Sequence, residues 1–301
     1  MKITPFGGAN EIGGNKILLE AGKAKIFLDF GVPFDRGEGI YSGLEFVNPR
    51  DKLGLRDYFE FGIVPKLEGI YSKEAIYYTD VKYKKPAYDA ILISHIHCDH
   101  FGDVADVDPA IPVYMGHGAK KINDTFNTIY PSFKSEDNGN VVEFESGKSF
   151  KIKDIEVTPV HVDHSIPGAY GFIIKTPEGT IAYSGDYRFH GFKPEMTEDF
   201  IRAAKKAGAD YLITEGTRVR AANDAVFKKK MTESDVENEF CETMKKSQGL
   251  TCFNFSFRNL DRVRSLCNAA KRAGKVLVCN AGFGYAVDNT KNLVKGMPKR
   301  F

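Results

Sequence analysis

Cysteine is scarce in this chain. Cys98, Cys241, Cys252, Cys267 and Cys279 are odd in number, scattered, and contain no CxxC pair. This argues against a disulfide framework and fits a reduced, cytoplasmic setting. No apolar run is long enough to span a bilayer and no signal-peptide pattern opens the sequence, so a membrane is not among the expected partners. A charge excess is missing too: 42 Lys and Arg face 40 Asp and Glu, a net charge of +2. So mild a balance neither argues for nucleic acid nor excludes it, and any basic surface must be local. Neither GxGxxG nor GxxxxGK[ST] stands between a strand and a helix, which removes the nucleotide-loop reading of Gly7–Gly14. That stretch is read as a turn that lets backbone pass close to a site. Histidine is absent after His190.

The chain is organised around Ser94-His95-Ile96-His97-Cys98-Asp99-His100. The preceding run, Tyr88–Ile93, is short, apolar and β-branched, as in a buried strand. On extended backbone His95 and His97 point the same way, with Asp99 and His100 just beyond, where the strand ends. Three imidazoles and a carboxylate within six residues would make a poor core. They suit zinc or a neighbouring transition metal. At 301 residues the chain can bury a full core and divide into more than one domain.

Residues 2–30 read as a β-meander, with 15–20 and 24–30 paired across a glycine turn. Asp29 closes it, as a turn former or an anchor behind metal ligands. Residues 32–87 show little periodicity; a connection this long is often a lid or substrate wall. Strands are expected at 112–115, 141–144 and 150–162, with a helix at 118–130. A second cluster, His161-Val162-Asp163-His164-Ser165-Ile166-Pro167, stands at a strand end. A hairpin pairing 169–175 with 180–184 runs into Gly185-Asp186. Three strand ends thus each deliver His or Asp, as a binuclear site requires. From Glu195 the texture becomes β-α-β-α-β-α: helix 195–207, strand 210–214, a helix from Thr232, strand 250–255, helix 259–273, strand 275–280 and a last helical stretch. This predicts a parallel, helix-covered sheet and a domain boundary near 215.

Together these motifs resemble the metallo-β-lactamase fold and, within it, the β-CASP nucleases that include ribonuclease J. His95-Ile96-His97-Cys98-Asp99-His100 fits HxHxDH, and Asp29 fits the aspartate that precedes it. His164 fits the third-motif ligand and Asp186 the bridging aspartate. The glycine-rich opening through Asn15 and the run His164-Ser165-Ile166-Pro167 are similar to ribonuclease J. Glu215 is similar to the acidic residue that opens the β-CASP domain. Ser256-Phe257-Arg258-Asn259 sits where that domain binds nucleic-acid backbone.

The resemblance implies an α/β, four-layer αββα fold over residues 1–215 and a partial β-CASP-like domain over 216–301. It implies two divalent metals, zinc first and manganese as the alternative. One is held by His95, His97 and His164, the other by Asp99 and His100, with Asp186 shared. Catalysis is then expected from Asp99, Asp186 and His164, with Asp29 and His161 in support. The implied reaction is RNA phosphodiester cleavage by a metal-activated hydroxide, with no covalent protein intermediate. Ser165, Glu215, Ser256, Arg258 and Asn259 would meet single-stranded RNA or DNA. Arg218, Arg220, Lys228–Lys230, Arg262, Arg264 and Lys271–Arg272 would line either a phosphate groove or a solvated helix face. Family members add late histidines that this sequence lacks, so truncation, a weaker second metal site and self-association as a homo-oligomer are expected. An esterase, thioesterase or lactonase of the same fold, or an inactive metal-binding fragment, are the competing readings.

Overall fold

The computed structural model describes residues 1–34, 49–130, 137–217, 231–256 and 258–297. Their strands form two sheets. The first runs β1 (Lys2–Gly7), β2 (Lys16–Ala21), β3 (Ala24–Leu28), β4 (Ala90–Leu92), β5 (Val113–Gly116), β6 (Val141–Phe144) in that spatial order. β1–β3 are antiparallel, as the short turn between β2 and β3 dictates, and β4–β6 add in parallel. The second sheet contains β7 (Phe150–Ile152), β8 (Ile155–His161), β9 (Tyr170–Thr176), β10 (Gly179–Tyr183) and β11 (Tyr211–Ile213). Its order is β11-β10-β9-β8-β7, antiparallel except where β11 joins β10.

Side-chain alternation along the strands builds the layers. Leu19, Ile26, Leu28 and Leu92 of the first sheet share a core with Val157, Phe172, Ile174 and Ile181 of the second. Phe27, Ile91, Val113 and Met115 face outward from the first sheet. There α3 (His117–Ile129) covers them with Ala119 and Ile122, helped by residues 55–76. The outer face of the second sheet, Ile173 and Ala182, lies under Phe200 of α4 (Pro194–Ala207). The order is helix, sheet, sheet, helix. Two short helices, α1 (Arg56–Glu60) and α2 (Cys98–Phe101), complete this part. Much of the long connection after β3 is therefore wall: Leu55, Phe59, Ile70, Tyr71 and Ile76 are buried in the core rather than poised over a site.

After β11 come α5 (Glu233–Lys246), α6 (Leu260–Ala273) and α7 (Ala281–Thr290). The Thr232 side chain and Asp235 form a reciprocal capping box, so aspartate serves where glutamate or glutamine is usual. Cys241 and Met244 of α5 pack on Leu266, Ala269 and Ala270 of α6. Leu260 and Val263 of α6 pack on Val287 of α7.

Two of the expected strands are corrected here. Residues 250–255 and 275–280 belong to no ladder among the described residues. Their alternation survives: Phe253, Phe255 and Leu277 rest on the helices, while Leu250, Val276 and Val278 are 89%, 88% and 90% exposed. An extended segment becomes a strand only when a neighbour accepts its N–H and C=O groups, and no described segment does so here.

Candidate metal centre

The polar cluster gathers where β3, β4, β8 and β10 end. β4 delivers His95 and His97, and the chain then turns into α2, which carries Asp99 and His100. His164 follows β8 by three residues, and Asp186 follows β10 by three. The turn before α2 is tightly backed. Phe30 and Val32 donate backbone hydrogen bonds to His100 and Cys98, and Asn15 donates to Asp99. A Cβ on Gly31 would lie 1.9 Å from the Asp99 carbonyl carbon, and one on Gly13 would lie 2.9 Å from the Asp99 Cβ. The glycine-rich opening therefore does bring backbone against the site, and only a bare Cα fits there.

His97 Nδ1 stands 3.0 Å from His95 Nε2 and 3.0 Å from His164 Nε2. One ring proton can point at only one of these neighbours, so three lone pairs converge with too few donors between them. That donor set fits a divalent cation. His95, Asp99 and His100 form a second group whose ligand atoms also lie within 4.8 Å of one another. His100 Nε2 lies 3.3 Å from Asp186 Oδ1 and 3.5 Å from Asp99 Oδ2.

Asp29 is the hub behind the ligands. It is fully buried, at a left-handed φ of 57° that turns the chain out of β3. Its carboxylate accepts from Ser94 N (2.6 Å), Ser94 Oγ (2.7 Å), His100 Nδ1 (2.6 Å) and Tyr183 Oη (2.5 Å). The His100 bond fixes that ring with Nε2 turned toward the site. Asn15 Nδ2 lies 3.1 Å from the same nitrogen and donates to the Asp99 carbonyl oxygen at 3.1 Å.

The imidazoles divide by environment. Burial pushes His164 down to about 3 and His97 down to about 4, and carries His95 well below the usual histidine range. Each therefore presents a lone pair at neutral pH. Burial opposes charge on His100 as well, but Asp29 and Asp186 outweigh it and push the ring well up. A divalent cation can take the place of that Nε2 proton. Burial raises Asp99, whereas Asp186 is lowered because His100 outweighs its burial.

Of the other expected residues, Arg258 reaches the histidine turn and the rest are dispersed. Arg258, more than 150 positions along the chain from the histidine turn, donates to Ile96 O at 3.2 Å and lies 4.1 Å over the Phe126 ring. Ser256 Oγ accepts from the Arg258 backbone at 3.2 Å, and Asn259 caps α6 through Arg262 N at 3.1 Å. Ser165 is half-buried directly after His164. Glu215 accepts from Thr217 N at 3.2 Å, a local turn. His161 stacks on Tyr170 with ring centres 4.3 Å apart, so it is seated on the sheet. Arg262 and Arg272 are paired with Glu233 and Glu237. Arg218, Arg220, Lys228–Lys230 and Phe257 lie outside the described residues. Asn15, Ser94 and Tyr183 were not singled out from the sequence as site residues. A tyrosine ending an apolar strand was the available signal for Tyr183.

A family model described as a β-lactamase superfamily domain matches residues 75–248. Ribonuclease J of Pyrococcus abyssi is 25% identical over 294 residues, covering 91% of this chain and 58% of that protein. Ribonuclease J of Mycoplasma genitalium is 28% identical over 188 residues, covering 62% of this chain and 28% of that protein. The chain thus spans only part of each. A crystal structure of a protein of unknown function from Enterococcus faecalis V583 superposes with a TM-score of 0.75 at 24% identity, covering 95% of this chain and 66% of that one. That likeness bears out the fold. Because the family model spans more than half of its length, and its strand ends gather the histidine–aspartate cluster just described, the chain belongs to the metallo-β-lactamase superfamily of hydrolases.

Proposed function

We propose that this chain is a ribonuclease J-like, metal-dependent nuclease that hydrolyses RNA phosphodiesters in the cytoplasm. The observation that carries this reading is the convergence of the His95, His97 and His164 nitrogens beside Asp99, His100 and Asp186. We assign His95, His97 and His164 to one divalent cation and Asp99 and His100 to the other, with Asp186 shared and zinc as the first choice over manganese. Bound there, two such cations would supply Lewis acidity and bring the pKa of a water toward about 7.

The chain's own groups do the rest. Asp99, raised by burial, is the group we assign to orient the attacking water and receive its proton. Asp29 holds the His100 tautomer through Nδ1. Arg258, seated on Phe126 and tied to Ile96 O, is the cation we assign to a phosphate of single-stranded RNA or DNA. The names of the curated relatives support nuclease action over ester or lactone hydrolysis.

The test compares single-stranded RNA and a bis-phosphodiester with a lactone and a thioester, using the metal-loaded chain. A His95→Ala, His97→Ala double variant serves as control and should hold at least one metal equivalent less. Preference for RNA, lost in the control, is expected. Preference for the lactone or thioester would move the function to that class, and equal metal content in the control would remove the site assignment.

A further inference from the structure

The turns that carry His164 and Asp186 are joined by a buried arginine. Asp163, directly before His164, is 4% exposed and Arg188, two residues after Asp186, is 9% exposed. Arg188 Nε donates to Asp163 Oδ1 at 3.2 Å, and Arg188 N donates to Asp163 O at 2.7 Å. Thr197 closes the loop: its hydroxyl accepts from Asp163 N and donates to Arg188 O, both at 3.0 Å. Gly191 N adds a donor to Asp163 Oδ2 at 3.0 Å. A second nitrogen of the guanidinium reaches out of this part of the fold. Arg188 Nη2 donates to Asp261 Oδ2 at 2.6 Å, in the first turn of α6.

A second contact lies beside the first. Glu233 N at the start of α5 donates to His190 O at 2.9 Å, while the Glu233 carboxylate accepts from Arg262 Nε (2.7 Å) and Ser265 Oγ (3.0 Å). The helical region is therefore fastened to the turn that follows Asp186.

We propose that Arg188 is a positioning residue that ties α6 to the two ligand-bearing turns, so that cation affinity at the three-histidine site depends on the helical region. The inference rests on the metal-centre reading of the site and is independent of the substrate. A planar guanidinium can meet two carboxylates through different nitrogens at once, which a lysine ammonium on a flexible stem cannot do with fixed geometry. Without it, the buried Asp163 and the half-buried Asp261 lose their common partner, and the carboxylate beside His164 relaxes toward water. The consequence falls on the His164 ring, which must stay within 3 Å or so of His97 Nδ1 for the three lone pairs to meet.

The experiment titrates metal-stripped protein with Co²⁺, reading the dissociation constant and the visible d–d bands, which report ligand geometry. Asp261→Asn keeps the shape of the distal partner, whose hydrogen bond to this assembly is made through Arg188. Arg188→Lys and Arg188→Met grade the loss, and His97→Ala is the control for the site itself. Arg188→Met should weaken binding roughly 10–100-fold. Asp261→Asn should weaken it in the same direction with altered d–d bands, and Arg188→Lys should fall between Arg188→Met and the unaltered protein. If Arg188→Met fails to fold, as judged by far-UV circular dichroism, Asp261→Asn decides. Unchanged affinity and bands in a folded Asp261→Asn, with binding lost in His97→Ala, would overturn the coupling while leaving the metal centre standing. Unchanged binding in His97→Ala would overturn the metal-centre reading and the coupling with it.

Discussion

Asp29 meets four donors from three residues, Ser94, His100 and Tyr183. Its role is electrostatic as well as geometric, since a charged acceptor holds His100 Nδ1 protonated and leaves Nε2 to the site. Asp29→Asn keeps the volume and tolerates the left-handed φ, so the backbone turn survives. The amide cannot accept all four bonds, and it must set an N–H against at least one donor. A loss of about 1.5–3 kcal/mol is expected in denaturant melts of the metal-free protein. The same variant should bind its second cation more weakly while the three-histidine site keeps its own. An unchanged melting midpoint would show that Asp29 is merely a turn residue.

At the scale of elements, the centre depends on how closely β3 and α2 approach. β3 ends, the chain reverses through Asp29, and Gly31 passes against the Asp99 carbonyl. Lys16, 1% exposed on β2, sits behind this contact in an ion pair with Asp103 at 2.7 Å and donates to Gly31 O. Gly31→Ala places a methyl where backbone already stands, so α2 must move rather than a side chain rotate. The expected cost is about 1–3 kcal/mol or more, with loss of metal equivalents measured on the folded fraction. A Gly31→Ala protein with full metal content and unchanged stability would mean that the turn is looser than its contacts imply.

For the whole molecule, the buried imidazoles link folding to pH. Burial holds His164 near 3 and both His97 and His161 near 4 in the folded chain, against about 6.5 when solvated. As pH falls below about 6.5 the unfolded chain binds protons that the folded one refuses, so stability drops. The drop continues toward about pH 4 and ends only once the folded rings also protonate. His100 has the opposite shift, so its contribution is complete below 6.5 and is lost only as pH rises through its folded value. It therefore does not offset the acid loss. Thermal melts of chelator-treated protein should show the midpoint falling steadily between pH 6.5 and 4; a flat profile there would contradict the burial of these rings.

Local pattern determined much of this protein. HxHxDH placed four candidate ligands within six residues, because strand alternation and a following turn fix their relative directions whatever surrounds them. The hairpins, α3, α4 and the Thr232 cap were legible for the same reason, each being set by periodicity or by a three-residue spacing. Tertiary structure alone decided the groups that hold those ligands. Tyr183 meets Asp29 across 154 positions, Asn15 meets His100 across 85, and Arg188 meets Asp261 across 73. No short-range pattern encodes such partners, since each is chosen by which elements the fold brings side by side. The same holds for residues 250–255 and 275–280. Their composition is that of strands, but a ladder needs a second chain segment alongside, and that is a property of the fold and not of the segment.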